Sequence, residues 1–151
     1  MQFAVTLGPT CCGACRPLLV QFFTPLSACT IEAMAPQRRR AVARETLDIT
    51  SDGNVLNRSG GLLQSNAELT LSAGGTFDNS EGTLDATGAA TVEAARIANV
   101  GGQLLAGEQG DAESALSLTS SGALDNRGGT VGSRGGDLLV GTASIDNRND
   151  G

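Results

Sequence analysis

From Thr46 onward, apolar residues recur in short groups separated by Gly, Asn, Asp and Ser, and the grouping repeats roughly every twenty residues. The stretch from Val55 to Gly75 shows one unit. Val55 is apolar, and Asn57 and Gly60 mark a turn. Gly61-Leu62-Leu63-Gln64 forms a short strand, and Ser65-Asn66 marks a second turn. Ala67-Glu68-Leu69-Thr70-Leu71 then alternates with period two, as a half-buried strand does. Ser72-Ala73-Gly74-Gly75 turns again before Thr76-Phe77 opens the next copy. Each copy thus offers three short strands and three corners. The turns are not two-residue hairpin turns, so strands within a copy have no antiparallel partner. They can pair with the equivalent strand one copy later, about 4.8 Å along an axis. The pattern predicts an all-β parallel β-helix, a solenoid of about five coils.

One phrase anchors the period: Val55-Leu56-Asn57, Phe77-Asp78-Asn79, Ile97-Ala98-Asn99, Leu124-Asp125-Asn126 and Ile145-Asp146-Asn147. The asparagines are 22, 20, 27 and 21 residues apart. Three inward columns follow. The first is Val55, Phe77, Ile97, Leu124 and Ile145, and the second is Leu62, Leu84, Leu104 and Val131. The third holds Leu69/Leu71, Ala90/Val92, Leu116/Leu118 and Leu138/Val140. From the third column to the next first-column residue the gaps run six, five, six and five. The extra residue is expected in a corner, because a slip within a strand would turn its buried face outward.

The candidate site residues are the asparagines themselves. Asn tolerates left-handed backbone angles, and its amide both donates and accepts. Stacked one per coil, Asn57, Asn79, Asn99, Asn126 and Asn147 are expected to form a corner ladder, each side chain bonding the next. The glycine three positions on (Gly60, Gly82, Gly102, Gly129) is expected to take an unusual backbone angle.

Composition narrows the chemistry. The 151 residues include 21 Gly, no Trp, no Tyr and no His, and all ten basic residues are Arg. Small and branched residues suit thin, layered packing. Without His there is no Ser-His-Asp or Cys-His pair and no His-ligated metal. Without Lys there is no Schiff base and no phosphate-loop lysine. Neither a cofactor nor a metal is expected. Residues 1–46 carry a net +3 and residues 47–151 a net −9. That acidic body would repel a phosphate backbone and has no aromatic platform for base stacking, so nucleic acid is not an expected partner. Carboxylates alone could still make a hydrolytic dyad.

Residues 1–46 read as a different object, a leader that is disordered, weakly structured or misassigned, ahead of repeats at 47–151. All four Pro and all four Cys (11, 12, 15 and 29) lie there. Cys12-Gly13-Ala14-Cys15 is a lone Cys-x-x-Cys, without the second pair of a zinc ribbon or the βαβ context of a thioredoxin site. Leu18 to Leu26 is signal-like, and Leu26-Ser27-Ala28-Cys29 resembles a lipoprotein cleavage box with Cys29 as the lipidated residue. The stretch is too short and interrupted to span a bilayer as a helix. Arg38-Arg39-Arg40 reads as a solvated flank.

Other motifs carry less. Asp146-Asn147-Arg148-Asn149-Asp150-Gly151 is similar to a calcium loop but has Arg at the third position, where an oxygen ligand belongs. No nine-residue calcium-roll period is present. Asn57-Arg58-Ser59 matches a glycosylation sequon. The copy from Asn99 to Asn126 carries about six extra residues around Gly107–Glu113, expected to bulge from one corner as an acidic loop.

Leu124-Asp125-Asn126-Arg127-Gly128-Gly129-Thr130-Val131 and Ile97-Ala98-Asn99-Val100-Gly101-Gly102-Gln103-Leu104 resemble the repeats of the filamentous haemagglutinin family. These are large bacterial exoproteins of two-partner secretion, including adhesins and contact-dependent growth inhibition effectors. The resemblance implies a right-handed parallel β-helix in a surface fibre. It implies export through an outer-membrane partner transporter, and a role in adhesion or toxin delivery. The implied ligand is a receptor or glycan on a host or neighbouring cell. The chain reads as a shaft segment of a longer reading frame, secreted or held at the bacterial surface, without catalysis. Two alternatives are a polysaccharide-active enzyme using Asp78, Asp125 and Asp146, and a protein anchored through a lipid on Cys29. Five coils make about 24 Å of solenoid, with apolar columns and strand edges open at both ends. End-to-end self-association is therefore expected.

Overall fold

The computed structural model describes residues 3–7 and 40–149. In chain order the strands are β1 (Phe3–Leu7), β2 (Arg40–Ala43), β3 (Leu47–Ser51), β4 (Val55–Leu56), β5 (Leu62–Ser65), β6 (Leu69–Asp78) and β7 (Thr83–Ala86). They continue as β8 (Ala90–Ala98), β9 (Gln103–Ala106), β10 (Leu116–Ser120), β11 (Ala123–Asp125), β12 (Thr130–Ser133), β13 (Leu138–Gly141) and β14 (Ser144–Asp146). Among the described residues there is no helix. One sheet runs β1-β3-β6-β8-β10-β13, with β4, β11 and β14 paired along its length, and the other runs β12-β9-β7-β5-β2. Every pairing among the described residues is parallel, and from β2 onward each joins a strand to its equivalent one turn later. The molecule is a β-solenoid of about five coils. Coil 1 holds β2–β4, coil 2 β5–β6, coil 3 β7–β8, coil 4 β9–β11 and coil 5 β12–β14.

Like residues lie over like. Val55 pairs with Phe77, Phe77 with Ile97, Ile97 with Leu124, and Leu124 with Ile145. Leu69/Leu71 lie over Ala90/Val92, which lie over Leu116/Leu118 and then Leu138/Val140. Leu47/Ile49 extend this column by one rung. All of these side chains except Leu138 and Ile145 pack in or against the core, with Phe77, Leu84, Val92, Ile97, Leu104, Leu116 and Leu118 fully buried. Each contributes about 1.5–3 kcal/mol relative to exposure, which is how a chain so poor in aromatics holds a fold.

The second column differs by one residue from the sequence expectation. Leu63, not Leu62, pairs with Leu84, and Leu84 continues to Leu104 and Val131. Leu63 is buried and Leu62 only half-buried. The reason lies in the first corner, which is one residue longer. There Ser59 and Gly60 both take left-handed angles (φ 56° and 78°), whereas each later corner uses a single such residue: Glu81, Gly101, Gly128 and Asn149. The surplus residue is thus absorbed before the strand begins.

The stretch Ser72 to Gly75 is also not a turn. β6 runs unbroken from Leu69 to Asp78, and its register against β8 shifts between Ala73 and Thr76. The extra residue of the gap from Leu71 to Phe77 is a bulge within a strand, which leaves the buried face inward on both sides, whereas in the gap from Leu118 to Leu124 it lies in the bend between β10 and β11, as the sequence leads one to expect. The repeat body also begins earlier than residue 47. β2 pairs with β5 from Arg40 onward, and β1 lies parallel to β3. Composition shifts where Pro and Cys stop, but backbone pairing does not depend on that shift. Cys11, Cys12, Cys15, Cys29 and the apolar stretch 18–26 lie outside the described residues.

Candidate functional site

The corner after the first column is built from the Asn phrase. The backbone N–H of Asn57, Asn79, Asn99 and Asn126 each donates to the residue before the next Asn, at 2.7 Å in all four cases. This places the five side chains in file. Asn57 Nδ2 donates to Asn79 Oδ1 (2.7 Å), and Asn79 Nδ2 to Asn99 Oδ1 (2.8 Å). Asn99 Nδ2 donates to Asn126 Oδ1 and Asn126 Nδ2 to Asn147 Oδ1, both at 2.6 Å. Every bond points the same way along the axis. The amides also reach backbone: Asn57 to Thr83 O, Asn79 to Gln103 O and Asn99 to Thr130 O, at 2.9–3.1 Å. Asn57, Asn79, Asn99 and Asn126 are buried, and Asn147 is exposed on the last coil. Buried amides satisfied on both sides fix register, because a one-coil slip would break several bonds at once.

Gly60 takes the left-handed angle expected of it, but in the three later copies the glycine of the phrase has a different role. Gly82, Gly102 and Gly129 do not have positive φ, and the left-handed residue is the one before each of them. Their need is clearance. A Cβ on Gly102 would stand 2.5 Å from Asn99 Oδ1 and collide with the Asn79 carbonyl, and one on Gly129 would stand 2.6 Å from Asn126 Oδ1 and collide with the Asn99 carbonyl. In coil 2 the equivalent residue is Gly61, which would meet Asn57 in the same way.

The candidate acids lie beside this file. Asp125 and Asp146 are direct cross-strand neighbours, while Asp78 is separated from Asp125 by Ala98. Each has an arginine. Arg127 clamps Asp125 through Nε (2.8 Å) and Nη2 (2.9 Å), with Arg96 Nη2 at 3.7 Å. Arg148 clamps Asp146 through Nε (2.9 Å) and Nη2 (2.7 Å), and Arg58 sits 3.6 Å from Asp78. The Arg127 hydrogen bond holds the Asp125 carboxyl below the usual carboxylate range, and Arg148 does the same to Asp146. A general acid needs the opposite, a carboxyl raised towards neutrality. This row is therefore built as an ion-pair strip. The sequence does carry its signal, Arg directly after Asn in three of the five phrases (Arg58, Arg127, Arg148).

The sequon asparagine, Asn57, is 2% exposed with its amide nitrogen engaged twice, so it offers no acceptor in the folded chain. In the calcium-like tail, Asp146 is held by Arg148 rather than facing a cation site, and Asp150 and Gly151 lie outside the described residues. Among the described residues no three His, Cys, Asp or Glu side chains gather closely enough to hold a metal ion. Sequence reasoning missed Ser65, which is fully buried and donates to Glu68 O at 2.8 Å in the opposite corner. It also missed Arg134, which reaches Asp85 at 2.7 Å.

The architecture defines a class: a solenoid whose rungs repeat their inner columns and corner amides, and which is assembled along an axis rather than around a cleft. The haemagglutinin repeat model matches residues 40–89, 74–128 and 125–151. The three segments span all five coils, and the chain belongs to the haemagglutinin repeat family. Neither a curated protein nor a solved structure matches it. The family is a structural adhesin repeat rather than an enzyme family, and its members generally belong to secreted or surface exoproteins.

Proposed function

We propose that this chain is a structural and adhesive shaft segment of a secreted bacterial surface exoprotein, and that it performs no catalysis. The observation that supports this most is the repetition itself: inner columns and amide file recur rung after rung, and the acids that appear in three of the five phrases are each paired with an arginine. A catalytic centre would be a unique break in that regularity. In this reading the segment sets the reach of the exoprotein, and its partners are a receptor or glycan on a host or neighbouring cell and the outer-membrane transporter that exports it. Deleting one whole coil, residues 80–99, tests it. Parallel pairing would re-form between coils 2 and 4, so β-structure and surface binding are both expected to persist. Loss of binding with β-structure intact would require a unique local site and overturn the spacer reading.

The enzyme alternative makes a separate demand. Reproducible release of reducing sugar from pectin-like or host glycans, abolished by Asp125→Asn, would replace the shaft reading. A lipid anchor at Cys29 is tested by palmitate-analogue labelling of wild type against Cys29→Ala. Label that depends on Cys29 supports an anchor, and its absence removes one.

A further inference from the structure

The insertion in coil 4 is not a free bulge. The corner between the two sheets spans three residues in coils 1–3, but nine in coil 4 (107–115) and four in coil 5 (134–137). The longer corner of coil 5 holds Gly135 and Gly136, and these form the seat for the loop. A Cβ on Gly136 would stand 2.8 Å from Ala112 O, and one on Gly135 would collide with the carbonyls of Glu108 and Asp111. At its start the loop is tied back to coil 3, where the Gly107 N–H donates to Ala86 O and Gly88 O, both at 3.0 Å. At its end it is tied forward to coil 5, where Ser133 Oγ donates to the carbonyl of the buried Ser114 at 3.0 Å. Arg134 closes the structure. Its Nη1 donates to Gly107 O (3.3 Å) and to Asp85 Oδ1 (2.7 Å), 49 residues away and two coils back.

We infer that residues 107–115 act as a brace that makes coils 3, 4 and 5 open together. From β2 onward the strand pairings among the described residues join only adjacent coils, so opening can stop at any rung. Here one side chain spans three coils, and the loop bonds the coil on each side of its own. A solenoid pulled or frayed from the coil 5 end would meet a stiff node at this point. The inference is independent of what the shaft carries.

Hydrogen exchange of the full chain tests it. In wild type the amides of β7, β9 and β12 are expected to exchange with one common protection factor. Arg134→Ala should raise exchange about tenfold in both β12 and β7, although β7 lies two coils away. Asp85→Asn removes the other end of the same contact with little change in shape, and should raise exchange in β12 by a similar factor. Gly135→Val should release the loop, so that Gly107 and Ala115 exchange at least tenfold faster while β3 and β6 are unchanged. Acceleration confined to the mutated coil, or loop amides already unprotected in wild type, would overturn the brace.

Discussion

Asn99→Ala probes the feature that recurs most faithfully. Asn99 is fully buried and donates to Asn126 Oδ1 (2.6 Å), Thr130 O (3.1 Å) and Gly102 O (3.2 Å), and it accepts from Asn79 Nδ2 (2.8 Å). Truncation strands Asn126 Oδ1 in a buried corner. An orphaned buried acceptor costs about 1–3 kcal/mol, and loss of the Asn79 bond adds about 0.5–1.5 kcal/mol. Asn79 Nδ2 keeps Gln103 O at 2.9 Å, so it is not left bare. The expected total is about 2–4 kcal/mol, a large share of the 5–15 kcal/mol typical of a folded domain. With a urea m-value of about 1–3 kcal/mol/M, the unfolding midpoint should fall by roughly 1–2 M. The control is Thr70→Ala on the exposed outer face, expected within about 0.5 kcal/mol of wild type. The double mutant Asn79→Ala/Asn99→Ala should be less destabilised than the sum of the singles, since both lose one shared bond. Equal midpoints for Asn99→Ala and Thr70→Ala would refute the file as a source of cohesion.

Glycine clearance predicts a contrast: Gly129→Ala should cost about 1–3 kcal/mol by overpacking, whereas Gly132→Ala should be near neutral. A Cβ on Gly132 would meet only Leu105 Cδ2, at 3.6 Å, and equal midpoints for the two variants would contradict the clearance argument. The pH dependence has a definite sign. Asp125 and Asp146 are held below their unfolded value by Arg127 and Arg148, so their stabilisation is full above about pH 4 and is lost as pH falls through the lower folded values. Urea midpoints should therefore be level from neutral down to about pH 4.5 and drop below about 4, with a shallower drop in Asp125→Asn; an unchanged slope in that variant would exclude the Asp125 clamp as a cause. Coil 5 leaves the inward side chains Leu138 and Ile145 exposed by 46% and 56%. Sedimentation should show self-association that rises with concentration and is suppressed by Ile145→Glu, and a concentration-independent monomer would count against it.

What was legible in the sequence is what repeats. Apolar positions at a fixed offset from each Asn define the first and third columns, because in a parallel stack the residue above is the same phrase one period later. The all-β class, the coil count and the first and third inward columns follow from that identity alone. The file of amides was legible for the same reason, but the backbone carbonyls of Thr83, Gln103 and Thr130 that the amides also reach are not written in the phrase, since they belong to the neighbouring strand. Only the tertiary structure decided the points where copies differ. It chose Leu63 over Leu62, because two left-handed residues take up the surplus in the first corner. It kept β6 whole, because a bulge holds the buried face inward where a turn would end the ladder. It made the phrase glycines spacers against the asparagines of their own and the preceding coil. It paired the acids with arginines, and it seated one copy's insertion on the next copy's glycine pair. The physical reason is common to all of these. Period and polarity are properties of one strand, whereas clearance, register shifts and ion pairs are properties of two coils in contact.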